Sequence, residues 1–284
     1  MSKAADLSQL LTGTTVDATD TPLLTVDGVS LKFGGNIAIR DLSFDVKPNE
    51  LLAIIGPNGA GKTSVFNTIS GVYRPNSGSI RLLGDDLVGV APHHIAQKGV
   101  ARTFQNIELF DNLTVVENLL LGRHLHLKYG ALSGMFYRGR AQREELKNRE
   151  IVETIIDFLE IAGQRQLPVG MLPYGVKKRI ELGRALAMEP KLLLLDEPVA
   201  GMNVEETEDM ARFILDIRSE LNTAILLVEH DMGLVMDLAD RVMVMHFGER
   251  IAFDTPQVVQ QDPAVIAAYL GVADPDEIAK EGTQ

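Results

Sequence analysis

The sequence predicts an α/β protein with a mixed β-sheet, an antiparallel β flank and an inserted helical segment. Three short, continuous apolar runs are typical of strands buried on both faces of a parallel sheet. They are Leu51–Ile55, Leu192–Leu195 and Ala224–Val228. Two other segments, Leu24–Phe33 and Leu42–Val46, alternate apolar and polar residues, as half-buried antiparallel strands do. Near the end of the chain, Arg241–Met245 and Ile251–Phe253 flank Phe247–Gly248 and predict a hairpin.

Helices are predicted between and after these strands. A mostly helical insertion covers about Val115–Met188. Farther along, Asn203 with Glu206 three residues later has the spacing of a capping box, which marks a helix start. Apolar residues then recur on one face of this helix, at Met210, Phe213, Ile214 and Ile217. We expect that face to be buried.

The two ends of the chain differ in composition from the segment between them. Residues 1–22 are rich in Thr, Asp, Ala and Ser with little periodicity, which predicts a disordered extension. Residues 272–284 are similar and predict a flexible tail. Residues 23–271 therefore form the predicted domain, with a helical subdomain at about 110–188.

Composition excludes several kinds of function. The formal net charge of −12 argues against nucleic acid as a partner, because binding duplex phosphates needs a clustered basic surface. The chain has no cysteine, which excludes disulfides, thiolate metal sites and a cysteine nucleophile. No apolar run approaches the roughly 20 residues that cross a bilayer, and Met1–Asp20 lacks the pattern of a signal peptide. We therefore expect any work at a membrane to depend on partner proteins.

A phosphate-binding loop follows the predicted strand Leu51–Ile55. The segment matches the pattern G-x-x-x-x-G-K-[ST] in full, and a helical stretch follows it. Glycines let main-chain N–H groups approach anionic oxygens, and the helix N-terminus adds a positive dipole end. The residues expected to bind ATP are Gly56, Pro57, Asn58, Gly59, Ala60, Gly61, Lys62, Thr63 and Ser64. With Lys62 on the β- and γ-phosphates and the Thr63 hydroxyl on Mg²⁺, the motif predicts a P-loop NTPase core.

A second site is predicted where the strand Leu192–Leu195 ends in two carboxylates, Asp196 and Glu197. At the carboxyl end of a parallel strand, such a pair faces the crevice where ligands bind. Asp196 suits the Mg²⁺ shell, through water, since Mg²⁺ keeps most of its waters. Glu197 is placed to polarise the attacking water in phosphoryl transfer. A strand that merely ends in charged residues is the alternative, and the phosphate loop in the same chain favours the catalytic interpretation.

The order of these motifs resembles the ATP-binding subunits of ABC transporters, over about Leu24–Gly271. The resemblance implies that Gln105 senses Mg²⁺ and the attacking water, and that His230 contacts the γ-phosphate. It also implies that Phe33 stacks on adenine and that Ala200–Asn203 contact a second subunit. An ATP hydrolase of this family would use as catalytic residues Glu197, His230, Gln105 and Lys62. Its magnesium contacts would be Thr63, Gln105 and Asp196.

The signature segment departs from the family's usual Leu-Ser-Gly-Gly-Gln. This chain has Leu172-Pro173-Tyr174-Gly175-Val176, followed by a predicted helix over Lys177–Met188. In the family this segment binds the nucleotide held by the other subunit of a head-to-tail dimer. Pro173 has neither a hydroxyl nor an N–H group, whereas Gly175 and the helix N-terminus can still offer amides. We therefore expect Pro173, Tyr174 and Gly175 to form the weaker site, and we predict a heterodimer with a related ATPase.

The resemblance narrows to the ATP-binding subunits of importers for branched-chain and hydrophobic amino acids. The segments that carry it include Gly56–Phe66, Arg102–Asn106, Glu229–Met232, Ala267–Gly271 and Tyr174-Gly175. It implies two permease subunits, an external solute-binding protein that acts indirectly, and a peripheral location at the cytoplasmic face of the cytoplasmic membrane. Two alternatives stay open: the ATPase of an exporter of lipid-like cargo, and a soluble ABC ATPase outside transport. A single set of motifs without a coiled-coil insertion argues against the second.

The insertion is locally basic between residues 123 and 149. The basic residues are Arg123, Lys128, Arg138, Arg140, Arg143, Lys147 and Arg149. A solvated helix face would carry such charges, and so would a face turned toward anionic lipid headgroups.

Overall fold

The chain divides into two compact units, each made of two stretches of sequence. The computed structural model describes residues 3–11, 21–105, 107–126 and 140–270. The first unit contains Met1–Asp20 and Pro92–Ile225, and the second contains Thr21–Ala91 and Leu226–Gln284. The predicted flexible tail at residues 272–284 lies outside the described residues.

The strands of the described residues have the following bounds. They are β1 (Leu24–Phe33), β2 (Asn36–Val46), β3 (Leu51–Ile55), β4 (Ser77–Leu82), β5 (Asp85–Asp86), β6 (Val100–Arg102), β7 (Leu192–Asp196), β8 (Ala224–Val228), β9 (Arg241–His246) and β10 (Glu249–Asp254). The second unit has an antiparallel sheet in the order β2-β1-β4-β5, and strands in the order β10-β9-β3-β8. Strands of the first unit follow the order β8-β7-β6. The division between the units falls within β8.

Two kinds of strand are present, as the apolar patterns predict. Every residue of β3, β7 and β8 is buried. The pairs β3–β9 and β6–β7 are parallel, which explains continuous apolar runs rather than alternation. Strand β1 pairs antiparallel with both β2 and β4, and its Leu24 lies opposite Val46 and Leu82. The predicted hairpin near the end of the chain is β9–β10, whose strands are antiparallel.

The helices of the described residues have the following bounds. They are α1 (Lys3–Leu10), α2 (Lys62–Ile69), α3 (Pro92–Gln97), α4 (Val115–Gly122), α5 (Arg140–Phe158), α6 (Tyr174–Leu186), α7 (Val204–Leu221), α8 (Met232–Leu238), α9 (Pro256–Val259) and α10 (Pro263–Leu270). Short 3₁₀ turns cover Arg123–His126, Ala162–Gln164 and Val169–Met171. Within the described ranges, none of these helices is both long enough and apolar enough to cross a membrane.

Helix α7 begins as its sequence predicts. The Asn203 side chain accepts from the backbone N–H of Glu206, and the Glu206 side chain accepts from the backbone N–H of Asn203. This reciprocal pair satisfies two amides that would otherwise lack a helical partner. The apolar face is buried, and it consists of Met210, Phe213, Ile214, Ile217 and Leu221. The capping box and the buried face are both confirmed.

The predicted helical insertion contains α4, α5, α6 and the 3₁₀ turns. Arg123, from its basic segment, is 4% exposed and faces neither solvent nor lipid. Its Nη1 donates to the Glu189 carboxylate at 2.7 Å, and its Nε donates to Asn148 at 3.0 Å. Lys128 and Arg138 lie outside the described residues. Arg123 is therefore a buried structural cation rather than part of a charged surface.

The expectation of a disordered N-terminal extension is wrong for its first part. Helix α1 packs against α5 and α7. Ala4, Leu7 and Leu11 are buried, with at most 3% of each exposed. Their spacing of three and four residues places them on one helix face, so the amphipathic signal was present but short. Residues 12–20 of the predicted extension lie outside the described part of the chain.

Some elements carry too little local pattern to be predicted. Strand β6 has three residues, too few to show alternation. Strand β4 contains Ser77, Gly78 and Ser79, which favour turns rather than strands. Strand β2 begins at Asn36, six residues before the predicted start at Leu42, because it continues directly from the turn after β1. These elements form because neighbouring strands supply their hydrogen-bond partners.

Candidate functional site

The phosphate loop predicted at Gly56–Thr63 begins directly after β3 and ends in the first turn of α2, in the second unit. Three of its glycines have conformations that residues with a Cβ rarely adopt: φ is +147° at Gly56, +82° at Gly59 and +103° at Gly61. A Cβ at Gly56 would lie 2.1 Å from the carbonyl oxygen of Met245, and one at Gly61 would lie 2.4 Å from that of Ala38. The loop therefore packs so closely on neighbouring backbone that both positions require glycine.

Lys62 is the first residue of α2 and is 8% exposed. Its Nζ donates hydrogen bonds to the carbonyl oxygens of Gly56 at 2.7 Å and Pro57 at 3.1 Å. The loop thus folds around its own ammonium group. An anionic phosphate competes well for this group, because it adds attraction between opposite charges to the hydrogen bond. Thr63 and Ser64 follow in the first helical turn, where the positive end of the helix dipole favours anions.

Phe33 and His230, two other predicted nucleotide contacts, also belong to the second unit. Phe33 ends β1, is 47% exposed and meets Tyr73 edge-on with ring centroids 5.0 Å apart. An exposed aromatic ring held in this way can stack on a base. The backbone N–H of His230 donates to the carboxylate of buried Glu229 at 3.1 Å, and its Nδ1 lies 3.7 Å from that carboxylate. The exposed imidazole is therefore anchored beside a buried carboxylate.

Asp196 ends strand β7 in the first unit and is 2% exposed. Arg102, which ends β6, donates from Nη2 to Asp196 Oδ2 at 2.9 Å. Burial raises the pKa of Asp196, and the Arg102 guanidinium opposes that rise. A carboxylate has about four acceptor positions, so the bond to Arg102 leaves Asp196 able to accept from water as well.

Glu197, the next residue, is held by Gln105. The Gln105 Nε2 donates to Glu197 Oε2 at 2.9 Å. Glu197 has φ +48°, in the left-handed region that is uncommon for residues with a Cβ. Backbone conformations of this kind cost about 1–3 kcal/mol and concentrate at functional sites. The structure therefore brings together Gln105, Asp196 and Glu197 in one unit, with Glu197 oriented by a hydrogen bond.

The signature residues stand at the start of α6, which begins at Tyr174, three residues before its predicted start. Pro173 is the N-cap and its side chain makes no capping hydrogen bond. A Cβ at Gly175 would lie 2.1 Å from Glu206 Oε1, so the Glu206 side chain lies directly against this glycine. The ring of Tyr174 similarly covers Gly201. The helix start is thus packed against the loop and helix that follow β7.

Two residues near Gln105 have no sequence motif that identifies them: Lys178 and Glu181. Arg102 belongs to the segment Arg102–Asn106, but nothing in that segment predicted its bond to Asp196. Lys178 and Glu181 lie on α6 and are 3% and 2% exposed. Lys178 Nζ donates to the Gln105 carbonyl at 3.1 Å, and Glu181 Oε1 accepts from the Phe104 N–H at 3.1 Å. In the sequence they resemble an ordinary surface ion pair at a spacing of three residues. Only burial in the folded chain distinguishes Lys178 and Glu181 from such a surface pair.

The second unit has the chemical features that bind a polyphosphate: a loop with glycines at positive φ, a buried ammonium group and a helix N-terminus. In the first unit, the Glu197 carboxylate is oriented by a hydrogen bond, and the neighbouring Asp196 carboxylate is buried. Carboxylates can orient water and ligate a hard cation. These two sets of groups are those that nucleotide hydrolysis needs.

Two family models match the chain. The ABC transporter model matches residues 39–200, more than half of the 284 residues. A model described as branched-chain amino acid ATP-binding cassette transporter matches residues 249–278. The second match covers β10, α9 and α10, the segment in which the sequence Ala267–Gly271 indicated this subgroup.

Known relatives and solved structures agree with the family models. The high-affinity branched-chain amino acid transport ATP-binding protein BraF of Pseudomonas aeruginosa is 42% identical over 252 residues, which cover 89% of this chain and 99% of BraF. LivG of Escherichia coli K12, described in the same words, is 40% identical over the same shares. A solved structure of the ADP conformation of an ATP-binding cassette of an ABC transporter has a TM-score of 0.77 and 29% identity, covering 88% of this chain and 99% of that chain. The predicted fold class is confirmed, and the chain belongs to the ABC transporter family as one of its ATP-binding cassette proteins.

Proposed function

We propose that this chain is the ATP-binding and hydrolysing subunit of an importer for branched-chain or other hydrophobic amino acids. The observation that carries the proposal is its similarity, along nearly the whole length of BraF and LivG, to proteins named for branched-chain amino acid transport. The phosphate loop adds the physical capacity that such a subunit requires, since Gly56, Gly61 and Lys62 have the backbone and charge that a polyphosphate needs. Residues 23–271 form the proposed ATPase domain, with its helical subdomain at about 110–188.

ATP binds at the phosphate loop in this proposal. Main-chain N–H groups of the loop, from residues other than Pro57, and the Lys62 ammonium group receive the β- and γ-phosphates, and the exposed ring of Phe33 stacks on adenine. Lys62 exchanges its neutral carbonyl partners for anionic oxygens, which strengthens its hydrogen bonds. Ser64, in the first turn of α2, contributes to the same anion site.

Magnesium is the proposed cofactor, and the chemistry of the residues fits it. Mg²⁺ prefers hard oxygen ligands and keeps several waters, and Thr63, Gln105 and Asp196 offer a hydroxyl, an amide oxygen and a carboxylate. Asp196 is buried and oriented by Arg102, so its carboxylate has a fixed position from which to bind a water of the ion. When bound, Mg²⁺ neutralises charge on the phosphate oxygens.

Hydrolysis depends on orienting water and on balancing charge. Glu197 accepts a hydrogen bond from the attacking water and polarises it, while Gln105 holds the Glu197 carboxylate in place. His230 contacts the γ-phosphate and responds to its presence. The strained backbone at Glu197 supports this role, because a costly conformation persists only where the surrounding structure imposes it.

The proposed assembly contains a second ABC ATPase, two permease subunits and, indirectly, an external solute-binding protein. It lies at the cytoplasmic face of the cytoplasmic membrane. Pro173, Tyr174 and Gly175 face the nucleotide of the second ATPase, and a heterodimer is proposed because Pro173 provides no hydroxyl and no side-chain cap at this helix start.

The decisive experiment isolates the chain from membranes with the proteins that accompany it and reconstitutes that complex in vesicles. ATP-dependent uptake of labelled leucine, isoleucine and valine is then measured, with Lys62→Ala as the inactive control. We expect uptake that needs ATP and is lost in the control. ATP hydrolysis stimulated by a different cargo, without amino-acid uptake, would exclude the proposed function.

A further inference from the structure

Two side chains of α6 hold the backbone of Phe104 and Gln105 from both sides. The Phe104 N–H donates to Glu181 Oε1 at 3.1 Å, and the Gln105 carbonyl accepts from Lys178 Nζ at 3.1 Å. Lys178 and Glu181 are three residues apart, so they lie on one face of the helix. Their Nζ and Oε2 atoms are 3.7 Å apart. The Lys178–Glu181 pair thus binds the N–H of Phe104 and the carbonyl of the next residue, Gln105.

Stability alone does not account for this pair. Both side chains are 2% exposed, so two charges are withdrawn from water. Such burial is expensive, and well-packed apolar residues in place of a buried ion pair are often equally stable or more stable. Burial also raises the pKa of the Glu181 carboxyl, and Lys178 opposes that rise. The polar pair instead provides what apolar side chains cannot, namely directional hydrogen bonds to the backbone of Gln105.

Contacts continue in both directions from this pair. Toward the acidic site, which consists of Asp196 and Glu197, the Gln105 side chain donates to Glu197 at 2.9 Å. Toward the start of α6, Lys178 Nζ lies 6.0 Å from the centroid of the Tyr174 ring, within reach of a cation–π contact. Tyr174 belongs to the signature segment. A continuous set of contacts therefore runs from Tyr174 through Lys178 and Gln105 to Glu197.

We propose that Lys178 and Glu181 are positioning residues for hydrolysis: they fix the backbone of Gln105 relative to the signature helix, so that the Gln105 amide orients Glu197. The inference rests on the proposed function, because it assumes that Glu197 polarises the attacking water. It assigns no direct contact with nucleotide to either residue. Their effect on Glu197 passes through the main chain and side chain of Gln105.

The test measures kcat and KM for Mg-ATP in the assembled complex, together with the thermal midpoint. Lys178→Met should lower kcat by about tenfold or more, as small displacements of catalytic groups do. KM should change less than about twofold, because the change lies outside the phosphate loop. Lys178→Arg should recover much of the lost kcat, since it can still donate to the Gln105 carbonyl. In a Gln105→Ala background, Lys178→Met should add little further loss, because the amide that it positions is gone.

A matched control separates positioning from folding. Glu189→Gln breaks another largely buried ion pair of the same unit, the one with Arg123, whose side chain binds Asn148, Ala187 and Glu189. It should lower the thermal midpoint while kcat is retained. If Lys178→Met alone folds poorly, the double change Lys178→Met and Glu181→Gln removes both charges of the pair, so that neither is buried without the other.

Two results would overturn the inference. The first is a loss of kcat that is fully additive with Gln105→Ala, and the second is a loss that merely follows the thermal midpoint, as in Glu189→Gln. Failure of the proposed function is distinguishable from either, because it would appear in the unmodified complex as ATP hydrolysis without amino-acid uptake.

Discussion

The side-chain amide of Gln105 donates to the carboxylate of Glu197, with Nε2 2.9 Å from Oε2, although 92 positions separate the two residues. The backbone of Glu197 is in the left-handed region, with φ +48°. A carboxylate in this state is oriented by its partner and by its own strained main chain.

Glu197→Gln should lower the turnover of ATP by about 10²-fold or more, the usual contribution of a general base, while nucleotide binding is retained. The substitution keeps the size of the side chain but removes its charge. Steady-state phosphate release and fluorescent-nucleotide binding measure the two effects. Glu208→Gln, at an exposed position of α7, serves as the control and should be neutral. Turnover close to that of the unmodified protein would remove Glu197 from the role of base.

Lys62→Ala should weaken ATP binding itself. It removes an ammonium group whose hydrogen bonds to an anion contribute about 1.5–3 kcal/mol, so we expect about ten- to hundredfold lower affinity. Equilibrium binding of ATP and of adenosine would be compared, because adenosine lacks the phosphates and should bind unchanged. Lys47→Ala, an exposed lysine of the same unit, is the matched control. Equal losses for ATP and adenosine would contradict the assignment of Lys62 to phosphate.

Gly56→Ala should disable the phosphate loop through backbone strain and collision. The added Cβ would lie 2.1 Å from the carbonyl oxygen of Met245, and φ at this position is +147°. We expect a loss of about 2 kcal/mol or more in the free energy of unfolding, together with loss of ATP binding. Gly163→Ala is the control, because no atom would lie within 4 Å of its Cβ. Unfolding in urea and ATP titration measure both effects, and a variant that binds ATP normally would show that the loop tolerates a Cβ.

Glu181 should make stability depend on pH in a defined direction. Burial raises the pKa of its carboxyl above the ordinary value of 4.5. Between 4.5 and that raised pKa, the folded chain binds more protons than the unfolded chain, so the free energy of unfolding falls as pH rises. Glu181→Gln lacks this contribution. Urea unfolding at several pH values should therefore show the unmodified protein losing stability relative to Glu181→Gln on going from acidic to neutral pH. Parallel curves would contradict the shift.

Leu7→Ala should loosen helix α1. Leu7 is completely buried against the first unit, and truncating such a side chain to alanine costs about 2–5 kcal/mol. The full cost applies only while α1 stays packed on the rest of the first unit. If α1 detaches instead, the loss cannot exceed the free energy with which α1 packs there. Hydrogen exchange of the α1 amides and the thermal midpoint measure the effect. Gln9→Ala, at an exposed position of the same helix, should change neither. Unchanged exchange in Leu7→Ala would mean that α1 does not depend on its apolar face.

The sequence by itself determined those features whose signals lie within a few neighbouring residues. The continuous apolar runs located β3, β7 and β8, because strands buried on both faces need an apolar residue at every position. The capping box at Asn203 located the start of α7, because both of its hydrogen bonds join residues three apart. The phosphate loop was equally local, since its glycines and lysine act within eight consecutive residues.

Only the tertiary structure decided which side chains complete the acidic site. Arg102 reaches Asp196 across 94 positions, Lys178 reaches Gln105 across 73, and Glu181 reaches Phe104 across 77. Each of these residues looks like an ordinary charged residue in sequence, because a charge at a helix or strand end is usually solvated. Their partners are set by how β6, β7 and α6 pack together, which depends on long-range burial rather than on local propensity. Local pattern therefore fixed the elements and the phosphate loop, while packing between distant segments fixed the contacts that orient Asp196 and Glu197.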